Sequence, residues 1–332
     1  MKKCLVFLFI LSFVVFSCKN NKEGETTQLT EKIEYEVNIV NNEPDADWWI
    51  QNIEGSKREK FINLVINGAK NQTIKIFDNN FIPTSFKKVV SDFFSYDTVN
   101  FKNKIKNIET DSVFISNLFD VSKINSFRFI EEWTYNDKTF EFQKKVNKYC
   151  PVLRYIGEKN KITNIPLFWV IPDTNSNDKP NTQTITEKIQ YDVNITSGNN
   201  IEWWKDNIEK SSKEKFLNQL INKIEKQEVI AYDYFNKIID KEKFNNIFHR
   251  IDTVLIEDLN NPGTYNDTVL KRDIDVNSIT KIRFIEEWTI DLNTLKISKN
   301  VISYSPLIEF VDDNGNIRGY TPLFWLHFNK KP

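Results

Sequence analysis

Two adjacent carboxylates, Glu131 and Glu132, stand in the segment RFIEEWT (residues 128–134), which recurs unchanged at residues 283–289. Two carboxylates that converge on one glycosidic bond can hydrolyse it by acid–base catalysis. The mixture of apolar and polar residues in this segment is typical of a β-strand, whose successive side chains point to opposite faces of the sheet. The two adjacent carboxylates therefore cannot meet on one bond, and the sequence argues against this chemistry.

Strand alternation also predicts the surroundings of each side chain in the segment. Phe129, Glu131 and Trp133 share one face, and the other face carries Arg128, Ile130, Glu132 and Thr134. We expect a half-buried strand in which Glu131 bonds to a neighbouring backbone group or cation, because buried carboxylates are almost always satisfied. A reactive role for Glu131 is the less favoured alternative.

The remaining residues that could carry catalysis are few. The chain has two histidines, of which His249 lies in a predicted helix and His327 in a terminal apolar strand. Cys150 precedes a proline, has Ser305 as its counterpart in the second half, and has no evident base nearby, so we expect a buried small thiol. The sequence contains no G-x-S-x-G, no G-x-G-x-x-G and no phosphate-binding loop. It therefore predicts no catalytic residue, no metal site and no cofactor.

Two pairs of adjacent tryptophans, Trp48-Trp49 and Trp203-Trp204, have two interpretations. Exposed, they could stack on a sugar or anchor a protein partner. Buried, they would plug the space beneath the helix that follows each pair, and this interpretation is favoured because an amphipathic helix needs an apolar surface to pack on.

The N-terminus has the pattern of a bacterial lipoprotein signal. Lys2 and Lys3 precede an apolar run of 12 residues, Leu5 to Phe16, which is too short to span a bilayer as a helix. A small residue then precedes Cys18, as in a lipobox, although Phe16 is bulkier than is usual. We expect residues 1–17 to be removed and Cys18 to be acylated, which would hold the protein at a membrane. The alternative is an ordinary signal peptide in which Cys18 is incidental.

Composition places the rest of the chain among globular proteins. Of its 332 residues, 40% are hydrophobic and 27% are charged, which is enough apolar material for a buried core. The formal net charge of −1 gives no basic field that would favour nucleic acid. The polar stretch of residues 18–30 predicts a tether between the lipid and the first domain.

Matched segments recur at an offset of 155 or 156 residues along the whole chain. EKIEYEVNI (31–39) returns as EKIQYDVNI (187–195), and IPLFWV (165–170) returns as TPLFWL (321–326). A constant offset over so long a unit indicates tandem duplication of a domain. We therefore predict one domain at residues 31–172, a polar linker at residues 173–184 and a second domain at residues 185–332.

Each copy reads as an α+β domain. The first segment of each copy alternates as a strand, and the S-x-x-E pairs Ser56/Glu59 and Ser211/Glu214 predict capping boxes for the helix that follows. The apolar face of the second of these helices should consist of Phe216, Leu217, Leu220, Ile221 and Ile224. TIKIF (73–77) and EVIAYDYF (228–235) resemble strands, and shorter helices are plausible near residues 85–94 and 241–250. Each copy should end in a three-strand antiparallel meander, in copy 1 at residues 126–135, 139–155 and 162–171. The fold class is then two tandem copies of an antiparallel sheet with helices packed on one face.

The C-terminal part of each copy resembles the GldN/PorN family. In the first copy the resemblance lies in FRFIEEWTYNDKTFEFQKKVNKYCPVLRY followed by IPLFWV, and in the second in IRFIEEWTIDLNTLKISKNVISYSPLIEF followed by RGYTPLFWLHF. It covers roughly the last 45 residues of each copy well. The residues that match the family pattern are Arg128, Glu131, Trp133, Pro166, Phe168, Trp169, Arg283, Glu286, Trp288, Pro322, Phe324 and Trp325.

This resemblance implies a non-enzymatic envelope protein of the gliding-motility and type IX secretion machinery. Family members form rings with a partner lipoprotein beneath the outer membrane, so the expected partners are envelope proteins, including secretion-ring subunits. The expected location is the periplasmic face of the outer membrane, through the lipid on Cys18. Family members carry one such domain and no anchor of their own, whereas this chain has two domains and a lipobox, so ring stoichiometry does not carry over. The alternative function is a glycan-binding envelope lipoprotein that uses the tryptophan pairs.

Overall fold

A computed structural model describes most of the chain, in ten segments. These are residues 24–40, 53–93, 97–102, 109–114, 119–156, 162–173, 179–196, 208–258, 260–311 and 317–328. None of the helices in these segments combines the length and apolarity needed to cross a membrane.

Copy 1, the part of the described chain up to residue 173, consists of nine strands and two helices. In chain order they are β1 (Thr26–Asn38), α1 (Gly55–Lys70), β2 (Ile76–Phe77), β3 (Pro83–Thr84), α2 (Phe86–Phe93), β4 (Asp97–Lys102), β5 (Glu109–Phe114), β6 (Ile124–Asn136), β7 (Phe142–Ile156), β8 (Ile162–Pro166) and β9 (Trp169–Val170).

Copy 2, from residue 179 onward, repeats this order with small differences. Its elements are β10 (Thr182–Asn194), α3 (Lys210–Glu225), α4 (Lys241–Phe248), β11 (His249–Glu257), β12 (Tyr265–Asp273), β13 (Ile279–Asp291), β14 (Ile297–Val311), β15 (Ile317–Pro322) and β16 (Leu326–His327). The place of β2 and β3 is taken by single bridges from Tyr232 to Ile238 and to Trp325. The duplication inferred from the sequence is therefore a duplication of structure.

One antiparallel sheet runs through both copies. In copy 1 the strands β1, β6 and β7 are neighbours, and in copy 2 the strands β10, β13 and β14 are. The two triplets join where Lys144 on β7 pairs with Lys299 on β14. These lysines occupy equivalent positions in the two copies, so the junction lies on the local two-fold axis that relates the copies.

The repeated segment forms the central strand of each triplet, β6 in copy 1 and β13 in copy 2. In the pairing of β6 with β7, Ile130 lies opposite Lys148 and Glu131 opposite Val146, so the extra residue of the bulge, Asn147, belongs to β7. From Ser126 onward β6 has no extra residue against β7, so the side chains of the repeated segment alternate as the sequence predicts. Phe129, Glu131 and Trp133 are all buried on one face.

The helices pack as their apolar periodicity predicts. On α3 the side chains of Phe216, Leu217, Leu220 and Ile224 are buried, and Ile221 packs at the edge of the same core. The two short helices predicted near residues 85–94 and 241–250 are present as α2 and α4. A single hydrophobic core includes residues of both copies.

The predicted capping boxes are wrong. The first helical hydrogen bonds run from Arg58 N to the carbonyl of Glu54 and from Lys213 N to the carbonyl of Glu209, so these glutamates are the N-cap residues. Ser211 already lies inside its helix, and its hydroxyl donates to the Glu209 carboxylate at 2.7 Å. In both helices the serine lies past the helix start, and its hydroxyl donates to the carboxylate of the N-cap glutamate rather than capping the backbone as the capping box requires.

The predicted tether and linker both extend too far into the folded domains. Strand β1 begins at Thr26, inside the predicted tether of residues 18–30, because Leu29 is buried and the β-branched threonines suit a strand. Strand β10 begins at Thr182, inside the predicted linker of residues 173–184. The predicted strands TIKIF and EVIAYDYF shrink to Ile76–Phe77 and to the bridges of Tyr232, and the third meander run divides into β8 and β9.

Candidate functional site

The two repeated segments face each other in the middle of the molecule, where the copies meet. The rings of Phe129 and Trp288 lie 5.2 Å apart, and those of Trp133 and Phe284 are also 5.2 Å apart. Both contacts cross from one copy to the other, and they are equivalent under the local two-fold axis. The site is therefore an interface between the two copies.

The Glu131 carboxylate is fully buried and both of its oxygens are occupied. Oε2 accepts hydrogen bonds from the Tyr35 hydroxyl at 2.6 Å and from Trp133 Nε1 at 2.7 Å. Oε1 lies 2.7 Å from the ammonium nitrogen of Lys299, which belongs to copy 2. The cation expected beside this glutamate is present, but it comes from the other copy rather than from a neighbouring strand.

Glu286 has the equivalent partners with the copies exchanged. Its Oε2 accepts from the Tyr191 hydroxyl at 2.5 Å and from Trp288 Nε1 at 2.7 Å, while Oε1 lies 2.7 Å from Nζ of Lys144 in copy 1. Each copy therefore gives one lysine to the glutamate of the other. We use the name central network for the two glutamates and the residues that bond to them: Tyr35, Glu131, Trp133, Lys144, Tyr191, Glu286, Trp288 and Lys299.

Aromatic rings enclose the charges of the central network. The hydroxyl oxygens of Tyr35 and Tyr191 are 3.3 Å apart on the local axis. Lys144 Nζ lies 3.1 Å from the centre of the Phe284 ring, and Lys299 Nζ lies 3.2 Å from that of Phe129. A cation over a ring face is attracted by the ring quadrupole, which offsets part of the cost of removing the ammonium group from water.

Burial and mutual charge shift the pKa values of the network in opposing ways. Burial raises the pKa of Glu131, but the Lys299 and Lys144 charges and the hydrogen bonds outweigh it, so the net shift is downward. Burial lowers the pKa of Lys144 to about 8, with Glu286 opposing that shift, and lowers that of Lys299 as well. Burial and the carboxylates raise the pKa of both tyrosines well above the ordinary value. At neutral pH the network contains two buried ion pairs and two neutral phenols.

The depressed pKa of Lys144 predicts how stability changes with pH. Between pH 8 and the unfolded value near 10.4, the unfolded chain binds a proton that folded Lys144 has lost, so this residue contributes stability that increases with pH. From pH 7.5 to 9.5 we expect the free energy of unfolding to rise by about 2 kcal/mol more than that of a Lys144→Met/Glu286→Gln variant, as measured by urea unfolding. Above pH 10 the tyrosines reverse the trend, because only the unfolded phenols ionise. Equal pH slopes for the two proteins would contradict this assignment.

A second set of reciprocal contacts surrounds the central network. The Tyr149 hydroxyl donates to the carbonyl of Leu295 at 2.9 Å, and the Tyr304 hydroxyl donates to the carbonyl of Phe140 at 3.1 Å. Phe140 and Leu295 end the β6–β7 and β13–β14 turns at φ values of +58° and +52°. Non-glycine residues seldom adopt this conformation, and here each turn is held in it by the opposite copy.

The opposite face of the repeated segment carries conventional ion pairs. Arg128 Nη2 lies 3.3 Å from Glu36, and Arg283 holds Asp192 through two contacts at 2.7 and 3.0 Å. Glu132 pairs with exposed Lys145 at 3.0 Å. Glu131 and Glu132 thus lie on opposite faces of the sheet with separate partners.

The other residues that match the family pattern lie in or beside the core. Phe168 is buried against Phe86, and Phe324 against Phe244 and Phe248. Trp169 and Trp325 are buried as well. The two prolines, Pro166 and Pro322, end β8 and β15. These positions fit a role in packing.

Cys150 is fully buried beside Ile130 and Trp169, and burial raises the pKa of its thiol to about 12. We expect this thiol to be inert in the folded protein, since at pH 8 it has roughly 1,000-fold less thiolate than free cysteine. Maleimide labelling at pH 8 should modify Cys150 in urea but not in buffer. Rapid labelling of the native protein would contradict the burial.

Two groups of residues singled out in the sequence remain: the predicted lipid-attachment cysteine with the tryptophan pairs, and the two histidines for which no site was predicted. Cys18, Trp48, Trp49, Trp203 and Trp204 lie outside the described residues. His249 begins β11 rather than lying in a helix, and it pairs at the surface with Asp273 at 2.9 Å. His327 bonds to Ser303 at 2.8 Å, and burial lowers its pKa. In the described part of the chain, histidine, cysteine, aspartate and glutamate do not gather in groups of three that could bind a metal.

Sequence reasoning missed the two lysines, the two tyrosines and the contact between the copies. Lys144 and Lys299 stand in polar-looking stretches, QKKVN and SKNVI, and their equivalent spacing from Glu131 and Glu286 was the available signal. Equal spacing in the two copies shows that each lysine has an equivalent in the other copy. It cannot show that the lysine of one copy contacts the glutamate of the other.

Together the fold and the central network define a duplicated α+β protein whose two copies contact each other through buried charged and aromatic residues. The family model "Gliding motility associated protein GldN" matches the chain twice, over residues 33–173 and 179–331. Because these matches cover most of the chain, the protein belongs to the GldN family, in two tandem copies. The family resemblance expected from the sequence is confirmed. A search of the curated proteins gave no match.

Proposed function

We propose that this protein is a non-enzymatic envelope lipoprotein that acts in protein assembly within the gliding-motility or type IX secretion apparatus. The observation that carries the proposal is the family match over both copies. The family is associated with gliding motility, and the proposal extends that association to a role in assembling envelope proteins. In this proposal the lipid on Cys18 holds the protein at the periplasmic face of the outer membrane.

The chemistry of the central network supports a structural role for the repeated segment. A catalytic carboxylate must reach a substrate, but both oxygens of Glu131 are occupied by Tyr35, Trp133 and Lys299. Both carboxylates of the network are completely shielded from solvent. The most distinctive segment of the sequence therefore acts on the protein's own architecture, which agrees with a scaffold better than with an envelope enzyme.

The proposal is tested by recovering the tagged protein from its native membrane. The protein is extracted in detergent after mild crosslinking, purified through the tag and analysed by mass spectrometry. Secretion or gliding subunits at near-stoichiometric yield would support the proposal, with a tagged unrelated outer-membrane lipoprotein as the control. Recovery of the bait alone would contradict it. A Cys18→Ser variant should leave the membrane fraction, whereas an unchanged distribution would contradict the lipid anchor.

A further inference from the structure

The two copies contain the same turn with different side chains. We call residues 78–83 turn 1 and residues 233–238 turn 2. In turn 1 the Asp78 carboxylate accepts two backbone hydrogen bonds at 2.9 Å, and Asp233 does the same in turn 2. Phe81 and Asn236, at equivalent positions, both have a φ of +59°. Because the backbones of the two turns agree, the difference between the turns lies in their side chains.

In copy 1 the groove beside turn 1 is filled by the protein itself. The Phe81 ring lies 5.5 Å from the ring of Trp169, and Lys148 Nζ lies 3.5 Å above the centre of the Phe81 ring. The Phe81 ring thus lies between Trp169 on its inner side and the Lys148 ammonium group on its outer side. Copy 1 thus shows which kind of group this position of the fold accommodates.

In copy 2 the corresponding groove is open. Asn236 stands in place of Phe81, and Ser303 in place of Lys148. The space beside Trp325 is a groove of about 560 Å³, whose walls include Tyr234, Asn236 and Tyr320. Turn 2 therefore provides no ring in the place of Phe81, and the Trp325 ring is instead stacked with the His327 ring, their centroids 6.3 Å apart and their planes 3° from parallel.

Turn 2 and its flank also expose apolar side chains. Ile230, Tyr234, Phe235 and Ile238 have exposed fractions of 53, 63, 75 and 64%. At the equivalent positions copy 1 has Lys75, Asn79, Asn80 and Pro83. Turn 1 also exposes apolar side chains, Phe81 at 39% and Ile82 at 57%, but it forms the same turn without apolar residues at these four positions, so the fold does not require those of copy 2. Clustered apolar exposure of this kind marks an interaction surface.

The charges along the groove indicate the rest of the ligand. Its basic lining residues are Lys188, Arg283 and His327, and aspartate and glutamate are absent from the described residues that line it. Arg283 is neutralised by Asp192, but exposed Lys188 adds positive charge at the rim, and Lys281 lies 3.5 Å above the centre of the Tyr320 ring nearby. An acidic group beside the occupant would meet this charge.

We propose that this surface of copy 2 binds a segment of a partner protein that inserts an aromatic side chain over Trp325, next to a carboxylate. The inserted ring takes the place that Phe81 occupies in copy 1, and the exposed side chains of turn 2 pack around the same segment. Aromatic anchors in a pocket with apolar surroundings are the usual energetic centre of such contacts. This inference rests on the proposed function, because it gives the assembly role a specific surface.

The test is photocrosslinking in the native host from p-benzoylphenylalanine placed at position 235, with position 80 as the matched control. We expect adducts at 235 on one partner protein, mapping by peptide sequencing to a segment with an aromatic residue and an Asp or Glu. Position 80 should give about tenfold less. Asn236→Phe, which restores the residue of copy 1 on the same backbone, should fill the groove and reduce the adduct by about tenfold, equivalent to about 1.4 kcal/mol. The thermal unfolding transition of the Asn236→Phe variant should match that of the parent protein.

Four results would overturn the inference: equal adducts at 80 and 235, adducts only within the chain itself, adducts only with carbohydrate, or no adduct. The co-purification described above separates this failure from failure of the proposed function. If secretion subunits co-purify while position 235 gives no partner adduct, the function stands and this surface is not its contact. If no subunits co-purify, the proposed function itself fails.

Discussion

Replacing Lys299 with methionine is expected to reduce the free energy of unfolding by about 3–5 kcal/mol. The substitution keeps most of the side-chain stem but removes the cation 2.7 Å from Glu131. The carboxylate would remain fully buried with only the Tyr35 and Trp133 hydrogen bonds to satisfy it. Leaving one member of a buried pair uncompensated costs far more than the pair contributes, because the charge cannot recover its solvation.

Three further variants separate this effect from a loss of packing. Lys144→Met should give a similar loss, since Lys144 has the equivalent position beside Glu286. Adding Glu131→Gln to Lys299→Met removes both charges, keeps an acceptor for Tyr35 and Trp133, and should restore most of the stability. Lys145→Met, which breaks an exposed pair with Glu132 at 3.0 Å, should cost no more than about 1 kcal/mol. Urea unfolding measures all four, and a Lys299→Met loss no larger than that of Lys145→Met would contradict the role of the network.

Phe216→Ala is expected to cost about 3–5 kcal/mol and to destabilise both copies together. Phe216 belongs to α3 of copy 2, yet its ring lies 4.9 Å from that of Tyr135 and 5.3 Å from that of Phe142, both in copy 1. Its removal leaves a cavity at the contact between the copies, so the whole molecule should unfold at lower urea concentration in a single transition.

The matched control for this cavity is Phe310→Ala. Phe310 is 59% exposed on β14, so its loss should change the free energy of unfolding by less than about 0.5 kcal/mol. Unfolding followed by tryptophan fluorescence and by circular dichroism would give coincident curves for the Phe216→Ala variant. Two separate transitions, with only one moved by the substitution, would show that the copies are independent.

The sequence predicted the elements well where a repeating pattern was long. Alternation in β6 placed Glu131 and Glu132 on opposite faces, and the helical period of α3 identified its buried side. These patterns are local, because the backbone geometry that creates them spans only a few residues. Helix starts were predicted less well. Ser211 has the spacing of a capping box, but its hydroxyl bonds to the Glu209 side chain.

The contacts of the central network could not be predicted from local sequence patterns. Whether Lys144 meets Glu286 depends on how two domains pack, and that packing is decided by the whole apolar surface of each copy rather than by the lysine's neighbours in sequence. A lysine within a charged-looking strand is usually exposed, so its burial here runs against the ordinary tendency. The duplication was the one long-range signal in the chain, and it indicated two like units without indicating their contact.

Duplication also explains why one protein carries RFIEEWT twice. Each copy carries one glutamate on its central strand and one lysine on the next strand. The glutamate of each copy pairs with the lysine of the other across the interface. Two like surfaces can then satisfy each other about a two-fold axis, as in a symmetric dimer. Fusion in one chain turns that arrangement into an internal one and allows the outer surfaces to diverge, as turn 1 and turn 2 have done.

The most direct test of this account is to produce residues 24–178 and 179–328 as separate polypeptides and to measure their state by light scattering and thermal unfolding. A half on its own would leave its glutamate and lysine without their partners, so we expect each half to be unfolded or to pair with a second molecule of itself. Mixed halves should form a one-to-one complex that unfolds in one transition. A half that is monomeric and folded, with its own cooperative transition, would contradict the claim that the central network makes the two copies one structural unit.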